Sequence, residues 1–214
     1  MRHRLITGAA AFGAAAAGYA VVARSWHLHW GATVKEPVAV LPGDEFIPEP
    51  DLVATRAIAV RAPASDVWPW IVQLGQGRGG FYSYESLENL VGCDIHNADR
   101  IVADWQTLAV GDEVRLHPEV GLMAAVVKPG EALVLRGGVP MSDVEPPYDF
   151  TWAFVVQEQL DGTARLLVRE RYAYKHSWTP LLVEPVELIS FIMTQKMMRG
   201  IRDRAEKAKA APAE

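Results

Sequence analysis

Two alternating runs joined by a turn constrain this chain more than any other feature. From Ala164 to Lys175, Ala164, Leu166, Val168, Glu170, Tyr172 and Tyr174 fall on one face, and Arg165, Leu167, Arg169, Arg171, Ala173 and Lys175 on the other. Period two marks a strand with one side turned to a core. Upstream, Phe150, Trp152, Phe154 and Val156 alternate with Thr151, Ala153, Val155 and Gln157, and Asp161-Gly162 between the runs is a hairpin signal. The pair reads as antiparallel strands with an aromatic inner surface and a basic, solvated outer face. Val114 and Leu116, Met123 to Val127 and Leu133 to Arg136 supply further strands between turns at Pro118, Gly121 and Pro129-Gly130, and Thr55 to Arg61 supplies one ended by Pro63.

Helices bracket these strands. Ser65 is expected to cap a helix with Pro69 in its first turn, a stripe of Val67, Trp70, Ile71 and Leu74, and a stop at Gly75. Ser83 is expected to cap a second, with Leu87, Leu90 and Val91 as its buried stripe and Gly92 as a left-handed terminator. From Thr179, with Pro180 at the first helical position and Pro185 as a restart or kink, a long helix carries Val186, Ile189, Met193, Met197 and Ile201 on one stripe. Its methionines serve as core filler, or as flexible contacts for ligands of variable shape.

The chain of 214 residues is the size of one domain with an addition. The addition is N-terminal. Leu5 to Ala23 carries no charge and follows Met-Arg-His-Arg, so it reads as a basic flank and a stretch just long enough to cross a bilayer, although Ala and Gly dominate it. Three readings stand: a retained anchor, a secretory signal cleaved after Val21-x-Ala23, and a soluble Ala-rich helix. Trp26 and Trp30, spaced i, i+4 after Arg24, favour the anchor, with both indoles at headgroup depth, so residues 1–30 read as a transmembrane anchor and interfacial belt. Arg2 and Arg4 against Arg24 and Lys35 place the domain outside by a narrow margin, as a single-pass membrane protein. Residues 31–53 interleave four prolines with Glu36, Asp44, Glu45, Glu49 and Asp51, which makes either an extended linker or a strap lying on the domain through Val38, Val40, Leu41 and Phe46. A folded domain is expected over 54–207 and a disordered tail over 208–214.

Beyond residue 53 there are 17 bases against 21 acids, a balance that argues against a nucleic-acid partner, whose phosphates need a basic face. Cys93, the only cysteine, forms no intramolecular disulfide and no cysteine-based zinc site. Asp94, His96 and Asp99 make a poor metal site without a second histidine, and no metal or cofactor is expected.

The stretch Ala62-Pro63-Ala64-Ser65-Asp66-Val67-Trp68-Pro69-Trp70 resembles the start of SRPBCC, or START-like, proteins. The block from Gln73 through Gly75, Gly77, Arg78, Gly79, Gly80 and Phe81 to Tyr84, followed by Glu88-Asn89-Leu90 and Asp94 to Arg100, is similar to an uncharacterised bacterial branch of that superfamily, often with an N-terminal hydrophobic segment. The resemblance implies an α+β helix-grip fold in which a curved antiparallel sheet wraps a long C-terminal helix, here preceded by a transmembrane helix. It also implies a deep apolar cavity; relatives bind lipids, sterols, polyketides or quinones, and a few catalyse cyclisation or dehydration. No catalytic motif carries over.

Glu170 is the most informative residue, because it interrupts the inner face between Val168 and Tyr172, where a carboxylate is costly. It is a cavity acid that binds a polar head or moves a proton, a buried partner of Arg136, or the mark of a register break. The glycines from Gly75 to Gly80 form a plain loop, or a gate with Arg78 facing an anionic head and Tyr82 and Tyr84 at the entrance. His96 is an acid or base, or part of a hydrogen-bonded loop. The expected function is that of a membrane-tethered binding protein for a hydrophobic or amphipathic small molecule. Trp152, Phe154 and Tyr172 would supply contact area, and Arg78, Tyr82, Tyr84, Arg136 and Glu170 would orient the polar end. The alternative is a cyclase or dehydratase using Glu170 or His96 as general acid or base.

Overall fold

A computed structural model describes residues 23–137 and 146–210, with the side chains of 208–210 left aside. The span from Leu5 to Val22 and most of the 208–214 tail therefore lie outside the described residues. Six strands, β1 (Leu52–Val60), β2 (Glu113–His117), β3 (Val120–Lys128), β4 (Ala132–Arg136), β5 (Tyr148–Glu158) and β6 (Ala164–Tyr174), form one antiparallel sheet in the order β1-β6-β5-β4-β3-β2. Four described helices accompany it: α1 (Arg24–Leu28), α2 (Ala64–Val72), α3 (Glu85–Leu90) and the long α4 (Thr179–Ala210). The first strand pairs with the last, Ala54 opposite Glu170 and Arg56 opposite Val168, so β1 forms one edge of the sheet beside β6. This order, with α4 lying across the inner face, fits a helix-grip fold.

Register follows from the alternation. Trp152 pairs with Glu170 and Phe154 with Val168, which puts their side chains on one face. The hairpin is fixed as its residues dictate: Gly162 takes φ 74, and Asp161 Oδ1 accepts from the Thr163 amide at 3.0 Å. The inner face packs Leu133, Leu135, Phe154, Leu166 and Val168 against Val67, Trp70 and Ile71 of α2 and Met197, Met198, Ile201 and Ala205 of α4. Gly200 permits the closest approach of α4 to the loop before α3, since a Cβ there would lie 2.7 Å from Tyr82 Cβ.

The basic outer face of β6, expected to be solvated, is covered. Residues 31–51 lie across it as an ordered strap, seated through Leu41 and Ile47, while Val38 and Val40 are exposed. Arg169 is 1% exposed and donates to the carbonyls of Glu36, Pro37 and Ala39, to Asp44 and to Thr55 Oγ1. Arg165 pairs with Glu36 at 2.7 Å, and Arg171 holds the Ile47 carbonyl and Asp44. The proline-rich strap has few internal partners for its carbonyls, and guanidinium forks fill that need. Trp30 likewise leaves the expected interfacial belt. The helix carrying Trp26 ends at Leu28, and Trp30 packs on the core beneath Arg199, whose guanidinium lies 5.2 Å from the ring centre.

Candidate functional site

Between the inner face and the first half of α4 lies a cavity of about 620 Å³, open to solvent. Its walls come from three places. Leu116, Leu122, Phe150, Trp152, Glu170 and Tyr172 rise from the sheet; Ser190, Met193, Thr194 and Met197 face them from α4; Phe81, Glu88 and Cys93 close one side from the loop and helix preceding β2. The aromatic lining forms two ring pairs, with centres 4.7 Å apart for Phe150 and Tyr172 and 5.9 Å for Phe81 and Trp152. Such a volume, mostly apolar with a few polar groups, is typical of a small-molecule site.

Glu170 is 1% exposed and fully partnered. Arg56 Nη1 lies 3.1 Å from its Oε1, Ser190 Oγ donates at 2.8 and 3.0 Å, Thr194 Oγ1 at 3.2 Å, and the Tyr172 hydroxyl at 3.3 Å. Burial and the neighbouring Glu170 charge push that hydroxyl well above the usual phenol range. Arg56 also donates to Glu187 and to the His27 carbonyl, and the far Glu187 oxygen sits 2.9 Å from His27 Nδ1. Burial raises Glu187 to about 7. Burial followed by Arg56 lowers His27. These four side chains tie β1, β6, α1 and α4 together beneath one end of the cavity.

The other expected site residues divide. Trp152 and Tyr172 line the cavity, whereas Phe154 lies in the core, its ring tilted against Trp152 at 4.7 Å. Arg136 is neither the partner of Glu170 nor a cavity residue: the alternation of β4 turns it to the outer face, over the Phe46 ring of the strap at 5.5 Å. Arg78 donates to the Val72 and Trp105 carbonyls, which pins the glycine loop instead of gating it. Gly75 and Gly80 exchange two backbone hydrogen bonds at 3.0 Å, and a Cβ on Gly80 would strike Asn97 Oδ1 at 2.6 Å. Tyr82 is buried, its hydroxyl donating to the Trp70 carbonyl at 3.0 Å, and Tyr84 lies outside beneath Lys196. His96 is on the surface with Glu85 and Asp94. Among the described residues no cluster of three or more His, Cys, Asp or Glu is placed to hold a metal.

Glu88 was not among the expected site residues. Leu87, Leu90 and Val91, the expected buried stripe of α3, face solvent instead, Leu90 at 81% exposure, and Glu88 turns inward at 9%. Its Oε2 is shielded from solvent without a hydrogen-bond partner among the described groups, and burial, aided by the Glu85 charge, raises the carboxyl to about 7. Six residues of helix have too little apolar periodicity to fix a face, so the sequence held no usable signal for this acid.

No family model and no curated protein matches this chain. Among solved structures it is similar to a protein of Nitrosospira multiformis at 13% identity, covering 75% of this chain and 100% of that one, with a TM-score of 0.49. It is also similar to a hypothetical protein of Helicobacter pylori (12% identity, 78% and 96% covered, TM-score 0.46). A third likeness is a Polyketide_cyc-like protein of Corynebacterium glutamicum (12%, 78% and 99%, TM-score 0.42).

Proposed function

We propose that this protein is an SRPBCC-type binding protein that holds a hydrophobic or amphipathic small molecule, such as a lipid, polyketide or quinone-like compound, in the cavity between sheet and α4. The observation that carries the reading is the cavity itself, about 620 Å³ walled by Phe81, Phe150, Trp152, Tyr172 and Met193. A dry void of that size, at about 24 cal/mol per Å³, would cost on the order of the whole stability of a domain, so the space stands filled by water or by a ligand. Catalysis by Glu170 or His96 has less support, because the first is committed to four protein partners and the second faces outward.

Membrane tethering belongs to the same proposal, with Leu5 to Ala23 as anchor and the domain outside. Among the described residues no helix is long and apolar enough to cross a membrane. Support comes from the surface where the described chain begins. Arg24 is bound to Glu184 of α4 at 2.6 Å, Trp26 packs edge-on against Phe191 of α4, and Trp26, Trp178, Leu181, Leu188, Ile189 and Ile192 are exposed, the α4 members on one stripe at helical spacing. Ile189 also lines the cavity, so the stripe and the ligand space share a wall.

The test is native mass spectrometry of the full-length protein taken from its membrane fraction in mild detergent. An added mass of a lipophile is expected, together with a higher melting temperature when that compound is supplied. Protein that is always unliganded and stabilised by no lipophile would overturn the proposal. Retention in the pellet after an alkaline carbonate wash checks the tether.

A further inference from the structure

The polar residues of the cavity specify the charge of what enters it. Glu88, Glu119 and Glu170 line it, and among the described lining residues there is no Lys, Arg or His. Glu170 is neutralised from behind by Arg56. Glu119 is exposed on the turn between β2 and β3. Glu88 alone of the three is both nine-tenths buried and short of a partner for a shielded oxygen. A carboxylate or phosphate head would therefore find no cation to offset the loss of its water, and would meet the charge of Glu119. An ammonium head would have to lose its water beside Phe81, Cys93 and Leu122 to form a buried ion pair, whose desolvation offsets most of its attraction. An uncharged group avoids both penalties, and a carboxylic acid offers it one donor and one acceptor.

Resting on the binding function proposed above, we infer that Glu88 selects an uncharged lipophile, donating its carboxyl O–H to a carbonyl or hydroxyl oxygen at the ligand's polar end. The raised titration range of this carboxyl keeps a substantial protonated fraction at neutral pH, as such a donor requires.

The experiment is a competition read by native mass spectrometry on the full-length protein at pH 7. Wild type, E88Q and E88M are each offered equimolar hexadecanol, hexadecanoic acid and hexadecylamine, and separately the uncharged fluorophore diphenylhexatriene. Wild type should carry the alcohol at least tenfold over the acid and the amine. E88Q, which still donates a hydrogen bond, should keep the alcohol within about threefold, while E88M should lose it about tenfold yet bind diphenylhexatriene like wild type. Equal occupancy by acid and alcohol, preference for the amine, or an unchanged alcohol preference in E88M would each overturn the inference. Should E88M fail to fold, the wild-type ranking and E88Q still decide it. Failure of the wild type to take up diphenylhexatriene or any of the three amphiphiles would instead overturn the binding function itself.

Discussion

Arg56 is the residue on which the buried charges of the fold depend. It is 1% exposed and has three acceptors in three directions: Glu170, Glu187 and the His27 carbonyl. Removing it leaves two buried carboxylates without a cation, a defect worth about 3–5 kcal/mol. R56M is therefore expected to lose that much in chemical denaturation, and R56K a large part of it, because one ammonium cannot reach three divergent acceptors. Equal stability of R56K and wild type would contradict this account. Glu88 makes a second, pH-dependent prediction. Its carboxyl titrates at about 7 in the folded state against an ordinary 4.5, so folding keeps a proton that the unfolded chain releases. Stability from this group is complete below pH 4.5 and is lost as pH rises through 7. E88Q should match wild type at pH 4.5 and exceed it by about 2 kcal/mol at pH 8.5, each pKa unit being worth about 1.4 kcal/mol before discounting for the cavity's opening. Thermal melts at the two pH values check this, and a difference that does not change with pH would contradict it. The sequence located Glu170 on the inner face, because alternation alone fixes that. It did not identify Arg56, which meets Glu170 only through the pairing of β1 with β6 across a separation of 114 residues.

At the scale of elements, the strap shows what alternation leaves open. Arg165, Arg169 and Arg171 share one face of β6, and period two distinguishes the faces without saying what covers them. Here the cover is the strap of residues 31–51, and Arg169 is its main attachment, with three carbonyls and Asp44 as acceptors. R169M should release the strap, making the segment around Pro37 to Gly43 a site of limited proteolysis at protease levels that leave wild type intact, with a loss of about 2–4 kcal/mol. R169K should be cut almost as readily, since a point charge cannot satisfy a fork of acceptors. Resistance of both variants would show that strap packing through Leu41 and Ile47 suffices alone. The helices divide by length. The 32 residues of α4 carry a stripe long enough to be read, whereas the six of α3 present Glu88 where Leu87 and Leu90 were expected.

For the whole molecule, the individual strands, the β5–β6 hairpin and the C-terminal helix are legible from local signals, because each is fixed by a repeating pattern or by turn chemistry, whereas the pairing of β1 with β6 is not. The cavity is a different kind of feature. It exists where α4 stands off the aromatic face of β5 and β6, and that separation depends on how helices and sheet pack rather than on any one segment. The carrier reading therefore predicts a separation of stability from binding. M193W and L116W each place an indole in the cavity, in surroundings made of Phe81, Phe150, Trp152 and Leu122. A filled apolar space no longer has to be hydrated, so both variants should melt within a few degrees of wild type or above it. Both should also lose lipophile occupancy at least tenfold in native mass spectrometry, since the ligand and the indole compete for one volume. If the space were merely a packing defect, the same substitutions would leave uptake of small lipophiles unaltered. Retained binding in both variants would place the ligand elsewhere, and loss of folding in both would mean that the cavity walls lack the slack a ligand requires.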